Sequence, residues 1–240
     1  MPVLLGLLAA LGWGVGDFLV RFAGRGEGVF RTMLWGQLVG LGVLTAWLAA
    51  DGAGTLAHMR AAGWFAWAAA LLAVPANLSA TYALFRALTR GTIALVSPIC
   101  ASYGAVTAIL SVLAGEPIGP LTGAGIGCAV LGLALASAGG QGGGGGPPRG
   151  IGLAAFAAAG YGAGFWLQGR FAVPSLGALL PVWLYYALGV LTLAAIGVGS
   201  GQDLASPGPG RRMLLLGYGG LACFPTSCSR SAWAPARWPP

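Results

Sequence analysis

Asp17 is a carboxylate inside an apolar stretch that runs from residue 3 to residue 22. An acidic side chain at the centre of a bilayer costs about 2.5–3.5 kcal/mol, and such residues commonly bind a solute or carry a proton. Arg21 follows four residues later, the favourable spacing for an ion pair on one helix face. Two interpretations are therefore open: a structural ion pair with Arg21, or a group that exchanges protons or binds a solute.

An aromatic pair, Trp13 and Tyr161, is related by an internal repeat. The string WGVGDFLVRFA at 13–23 returns as YGAGFWLQGRFA at 161–172, which makes the two residues equivalent and pairs Asp17 with Phe165. Flat rings can stack on apolar or cationic solutes. In an inverted two-fold arrangement the two rings would face each other across a central cavity. The alternative is an interfacial position, where Trp and Tyr commonly collect.

Other polar and aromatic residues complete the candidate solute-binding set. They are Tyr82, Ser97, Tyr103 and Trp166, with Asn77 and Gln37 as further groups that could line a path. Hydrogen bonding between helices is the commoner use of such polar groups in membranes. Glu116 is predicted to be a structural turn residue, because an acid beside Pro117 suits the positive end of a helix. A gating contact is the alternative for Glu116.

The elements that must position these residues are membrane-spanning helices. The chain is 57% hydrophobic and 7% charged, whereas soluble domains carry about 25% charged residues. A span needs about 20 mostly apolar residues. Seven segments qualify, near 3–22, 30–50, 62–85, 92–113, 118–138, 151–172 and 178–199. The fold class is therefore an all-α membrane protein, which we expect to cross a cell membrane several times, as in the bacterial inner membrane.

The repeat offset of 148 residues predicts two modules of five helices each. Residues 1–138 form the first module, the Gly/Pro tract 139–150 a linker, and 151–222 an incomplete second module, so that seven to eight of ten helices are present. Residues 223–240 have an aberrant, proline-rich composition that suggests a shifted reading frame, with a natural tail as the alternative. An odd number of helices per module predicts an inverted repeat.

Arginine placement predicts the orientation of the chain. The loops after odd-numbered spans hold eight arginines, and those after even-numbered spans hold two, Arg60 and Arg170. Because basic residues stay on the cytoplasmic side, we expect the odd loops to be cytoplasmic and the N-terminus to be outside.

One stretch is similar to a known family. Residues 97–118, SPICASYGAVTAILSVLAGEPI, resemble the end of the repeat in the EamA-like family of the drug/metabolite transporter superfamily, and 13–14, 82–84 and 86–88 are similar as well. The resemblance covers 3–138 and, as the opening of a second copy, 151–221. It implies ten helices in two inverted repeats that move small metabolites by alternating access. Family members usually keep both termini in the cytoplasm, contrary to the arginine count.

These observations predict a secondary transporter, with export of small organic metabolites, amino acids or drugs as the expected direction. The alternative is a non-functional fragment or a membrane scaffold. The expected partners are a small-molecule solute and the lipid bilayer, with a homodimer possible, and neither nucleic acid nor a cofactor is expected. An enzyme is not expected, because the chain has one histidine, no Gly-x-Ser-x-Gly string and no cysteine pair with metal-ligand spacing.

Overall fold

The computed structural model describes residues 2–50, 52–117, 119–139, 150–202, 204–208, 210 and 212–218. These residues form helices joined by short turns, with no strand among them, which confirms the predicted all-α membrane fold. The helices are α1 (Pro2–Glu27), α2 (Val29–Ala50), α3 (Gly52–Ala61), α4 (Trp64–Arg90), α5 (Ile93–Ala101), α6 (Tyr103–Leu113), α7 (Pro120–Gly139), α8 (Ile151–Leu167), α9 (Val173–Leu176) and α10 (Leu179–Ser200).

Four spans in the described part are long and apolar enough to cross a membrane: α2, α4, the broken pair α5–α6 and α10. The other predicted spans coincide with α1, α7 and α8. Helix α8 has 17 residues and continues into a π-helical turn, Gln168–Ala172. Helix α3 was not predicted as a separate helix. The predicted linker and tail fall largely outside the described residues.

The break between α5 and α6 positions an aromatic residue. Pro98 lies inside α5 and has no N–H to donate to the preceding turn. The helix ends three residues later, and Ser102 donates its backbone N–H at 3.2 Å and its hydroxyl at 2.7 Å to the Ile99 carbonyl. Tyr103 is therefore the first residue of α6, and it faces α8 through ring contacts described below.

Helices α4 and α8 form the central pair of the fold. Gly160 brings the backbone of α8 against α4, because a Cβ there would lie 3.0 Å from the Ala80 Cβ and 3.1 Å from the Ala76 carbonyl. Gly164 lies against the side chain of Asn77 in the same way. Gly160 and Gly164, four residues apart on one face of α8, thus form a close helix contact.

Glycines of α1 and α2 pack against tyrosine rings and not against helix backbones. A Cβ at Gly16 would lie 3.3 Å from the Tyr218 ring, Gly36 faces the same ring, and Gly40 lies against Tyr186. Gly127 of α7 differs, because nothing described lies within 4 Å of a Cβ there. Helix α7 packs on α5 and α6 along other residues.

Arginines of the odd-numbered loops gather at one end of the bundle. Arg21 donates to the carbonyls of Leu88 and Gly91 at 3.2 and 3.0 Å, and Arg25 donates to that of Thr89 at 3.3 Å. Arg31 reaches the backbone of residues 205 and 206, and Arg212 bonds to the same loop. The structure thus brings together four of the arginines that the sequence assigns to one side, Arg21, Arg25, Arg31 and Arg212. That this side is cytoplasmic stays a prediction.

Glu116 corrects one sequence expectation. Helix α7 begins at Pro120, so Pro117 is not its first residue and Glu116 does not cap it directly. The carboxylate instead forms an ion pair with Arg170, with 3.1 Å between Oε1 and Nε. This contact joins the end of α6 to the π-helical turn after α8. An arginine within ion-pair distance is a stronger partner for the carboxylate than a helix end farther away.

Candidate functional site

Four aromatic rings from three helices form a continuous cluster, which we call the aromatic cluster. Phe165 lies parallel to both Trp13 and Tyr161, with centroid distances of 6.2 and 5.6 Å and interplanar angles of 6° and 12°. Tyr103 meets Trp13, Tyr161 and Phe165 edge-on, at 6.1, 6.3 and 5.3 Å. Offset-parallel and edge-on pairs are the favourable aromatic geometries. The cluster therefore forms a continuous wall of rings that joins α1, α6 and α8.

The cluster alters the expected relation between Trp13 and Tyr161. Both residues lie in the same site, but they do not face each other directly, because Phe165 stands between them. Phe165 was not predicted as a site residue. The sequence repeat could have indicated Phe165, because it makes Phe165 the counterpart of Asp17. Both residues of this pair belong to the site, as do Trp13 and Tyr161.

Asp17 borders the cluster one helical turn from Trp13. Its carboxylate is hydrogen-bonded to the Ser97 side chain of α5, and Tyr103 and Cys100 are close enough to interact with its charge. The proposed ion pair with Arg21 is not formed, because the guanidinium of Arg21 is taken by the carbonyls at the end of α4. The structure thus corrects the ion-pair interpretation and leaves Asp17 with a neutral partner.

A chain of hydrogen bonds runs behind the cluster through Thr81 of α4. The Tyr161 hydroxyl donates to Thr81 Oγ1 at 2.8 Å, and the Tyr185 hydroxyl of α10 lies 2.7 Å from the same oxygen. Thr81 also bonds to the Asn77 carbonyl at 2.8 Å, and Gln37 of α2 hydrogen-bonds to Tyr185. Three helices, α4, α8 and α10, therefore meet at one buried hydroxyl, and α2 joins them through Tyr185. Thr81 and Tyr185 were not predicted as site residues.

Three buried polar atoms near this chain have no hydrogen-bond partner among the described residues: Gln37 Oε1, Asn77 Oδ1 and Trp166 Nε1. Buried polar groups in proteins are normally paired, so an unpaired one requires an explanation such as a bound water. Gln37 and Asn77 are 4% and 3% exposed, which places their amide oxygens inside the bundle. Asn77 lies against Gly164 of α8, and Gln37 lies against Gly189 of α10.

Two predicted site residues lie apart from the aromatic cluster. Tyr82 is in a separate cleft, where its hydroxyl accepts a 2.7 Å hydrogen bond from Arg86 and its ring lies 5.5 Å from the guanidinium carbon. Trp166 meets Phe171 edge-on at 5.5 Å. Among the described residues, neither has a ring contact with the cluster, and no three His, Cys, Asp or Glu side chains form a metal site.

Replacing Thr81 with valine is expected to lower the free energy of unfolding by about 1–3 kcal/mol, because the change removes the hydrogen-bond acceptor of the buried Tyr161 hydroxyl. The measurement is unfolding by sodium dodecyl sulfate in mixed micelles, followed by circular dichroism. Thr81→Ser is the matched control, since it keeps the hydroxyl. Equal stability of the two variants would show that the hydrogen-bond chain contributes nothing measurable.

Comparison with known proteins gives one result for the chain. Neither a curated protein nor a solved structure matches it. Residues 1–138, more than half of the chain, match the model of the EamA-like transporter family. This match includes α1 to α6, and therefore Trp13, Asp17, Ser97 and Tyr103 of the site. With its all-α membrane fold, the chain belongs to the EamA-like transporter family and is a membrane transporter of the drug/metabolite superfamily.

Proposed function

We propose that this chain is a secondary transporter that exports small organic solutes across the cell membrane by alternating access, and that it favours cations with an apolar or aromatic body. Metabolites, amino acids and drugs include such solutes. The observation that carries the proposal is the placement of the Asp17 carboxylate beside the aromatic cluster.

The charges around the site support a cationic solute. Asp17 bonds to the neutral Ser97, and the nearest arginine on its own helix, Arg21, is held at the end of the bundle. Aromatic faces attract cations by about 0.5–2 kcal/mol each. A solute with its positive group near Asp17 and its apolar body against the rings would use both the carboxylate and the aromatic faces.

Alternating access is supported by where the helices are interrupted. Tyr103 follows the break between α5 and α6, and Phe165 comes shortly before the π-helical turn that ends α8. Breaks of this kind commonly mark sites where transporters change shape. Because α1 and α8 are equivalent in the sequence repeat, the cluster joins the two halves that would rock against each other.

The test uses the full chain in proteoliposomes with two probes of opposite, permanent charge: benzyltrimethylammonium and phenylmethanesulfonate. We expect protein-dependent transport of the cation and little of the anion. Trp13→Ala with Phe165→Ala should lower the rate of cation transport at low concentration about tenfold, because two ring faces are lost. Trp64→Ala is the control, since Trp64 is 80% exposed and outside the cluster.

Two results would contradict the proposal. Equal rates for the cation and the anion would refute the charge preference. Full activity of the Trp13/Phe165 double variant would refute binding at the cluster. If no solute in a wider set of charged and neutral probes moved faster than in protein-free vesicles, the alternative of a membrane scaffold would gain support instead.

A further inference from the structure

A cavity with a volume of about 750 Å³ lies between α2, α4 and α10. We call it the arginine cleft. Its inner part is lined by apolar residues such as Pro75, Leu78 and Leu193, and its outer part by Arg86 and Arg90. No residue of the aromatic cluster lines it. The cleft thus combines an apolar interior with a basic mouth at the arginine-rich end of the bundle.

The length of the cleft matches one leaflet of a bilayer. Along α4 it extends from Pro75 to Arg90, and at about 1.5 Å per residue these positions are about 22 Å apart. Half of a hydrocarbon core is about 15 Å thick, and the headgroup region adds about 6 Å on each side. The arginines therefore lie at headgroup level when Pro75 is near the bilayer midplane.

The charge at the mouth is positive. Glu27 is held by Arg31 at 2.8 Å, so this pair contributes little net charge. Arg86 is held against Tyr82 by a hydrogen bond and a ring contact, and no ion pair joins Arg86 or Arg90 to a described carboxylate. Guanidinium groups bind phosphate through paired hydrogen bonds, so this mouth suits a phosphate group.

The cleft is open sideways, toward the region that lipid occupies. Tyr82 and Ile196 on its walls are 39% and 51% exposed, and Pro75 and Ser79 are exposed as well. A molecule with an alkyl chain can enter from the bilayer without crossing the polar end of the bundle. This geometry favours a lipid over a water-soluble phosphate compound, which would have no use for the apolar interior.

We propose that the arginine cleft binds an anionic phospholipid, with its phosphate at Arg86 and Arg90 and an acyl chain along Leu78 and Ile196 toward Pro75. Such a lipid would join α2, α4 and α10 at one end of the bundle. The proposal is independent of the solute carried, because the cleft and the aromatic cluster share no residue. It agrees with the prediction that this end is cytoplasmic, where anionic lipids attract basic side chains.

The experiment measures lipid binding to the purified full chain in non-ionic detergent by native mass spectrometry. The probes are dioleoyl phosphatidylglycerol, dioleoyl phosphatidylcholine and dodecyl phosphate. We expect phosphatidylglycerol to bind about tenfold more tightly than phosphatidylcholine. Arg86→Gln with Arg90→Gln should weaken phosphatidylglycerol binding about 25-fold, because each basic residue near a headgroup contributes about fivefold. Leu78→Trp should weaken binding of both lipids by filling the cleft.

The matched control is Arg25→Gln with Arg60→Gln, which removes the same charge from residues that do not line the cleft. An equal loss in this control, or no loss in the Arg86/Arg90 variant, would overturn the proposal. Tight dodecyl phosphate binding that phosphatidylglycerol cannot displace would also overturn it, by assigning the cleft to a free amphiphile. Circular dichroism checks that each variant is folded. If the arginine variant does not fold, unchanged lipid binding by Leu78→Trp overturns the proposal independently.

Discussion

Replacing Asp17 with asparagine is expected to lower benzyltrimethylammonium transport at least about tenfold and to abolish its response to a pH gradient. The amide has the same shape as the carboxyl group and can still bond to Ser97, so the bundle should stay folded. It carries no charge to attract the cation and no proton to exchange for it. A charged hydrogen-bonding group lost from a buried site typically costs about 1.5–3 kcal/mol, which corresponds to a factor of at least ten.

The direction in which a pH gradient changes cation uptake follows because the Asp17 carboxylate binds either a proton or the cation, and not both at once. With an acidic lumen and a neutral exterior, Asp17 loses its proton on the outside and takes up the cation there. On the acidic side a proton replaces the cation, which is released into the lumen. Wild-type proteoliposomes should therefore accumulate the cation faster when the lumen is acidic, and slower when the gradient is reversed.

Transport is measured as uptake of the labelled cation with lumen and exterior buffered separately. Glu116→Gln is the matched control, because it makes the same chemical change at a carboxylate that pairs with Arg170 outside the site. Unchanged uptake by the Asp17→Asn variant at every pH would remove Asp17 from the mechanism. Loss of uptake with the pH response retained would make Asp17 a binding residue and assign the proton to another group.

The positions of the helices could be predicted from the sequence, because apolar length is a local property that each segment carries by itself. The spans around α2, α4 and α10 needed only the count of consecutive apolar residues. The gathering of arginines at one end could be predicted for the same reason, since it depends on loop order and not on packing. Helix α3 was missed because its ten residues are too few and not apolar enough for a span, and because the two glycines at its start are typical of a turn.

The site was harder to predict, because it depends on how each helix is rotated about its axis. Helix α8 is apolar on every side, so its sequence does not indicate which face meets α4. The bond from Tyr161 to Thr81 and the position of Phe165 are set by that rotation. The same holds for Arg21. The four-residue spacing allows an ion pair with Asp17, but the carbonyls at the end of α4, which are distant in sequence, bind the guanidinium instead.

Replacing Gly164 with leucine is expected to lower the free energy of unfolding by about 2–3 kcal/mol, the upper range for overpacking a well-packed interior. A Cβ at this position would lie 2.7 Å from Asn77 Cγ and 2.9 Å from Nδ2, closer than atoms of this kind pack. Asn77 is buried on α4 and has little room to move. Helix α8 would have to shift away from α4, which also strains the bond between Tyr161 and Thr81.

Gly152→Leu is the matched control, because Gly152 is in the same helix and no described atom lies within 4 Å of a Cβ there. Its stability should stay within about 0.5 kcal/mol of wild type, as for most exposed substitutions. Unfolding in mixed micelles measures both variants, and adding Asn77→Ala to Gly164→Leu should recover part of the loss. Residues in direct contact show such coupling, whereas distant residues have additive effects. Additive effects of the two substitutions would mean that α4 and α8 do not meet at this pair, and the hydrogen-bond chain behind the aromatic cluster would then lack its geometric basis.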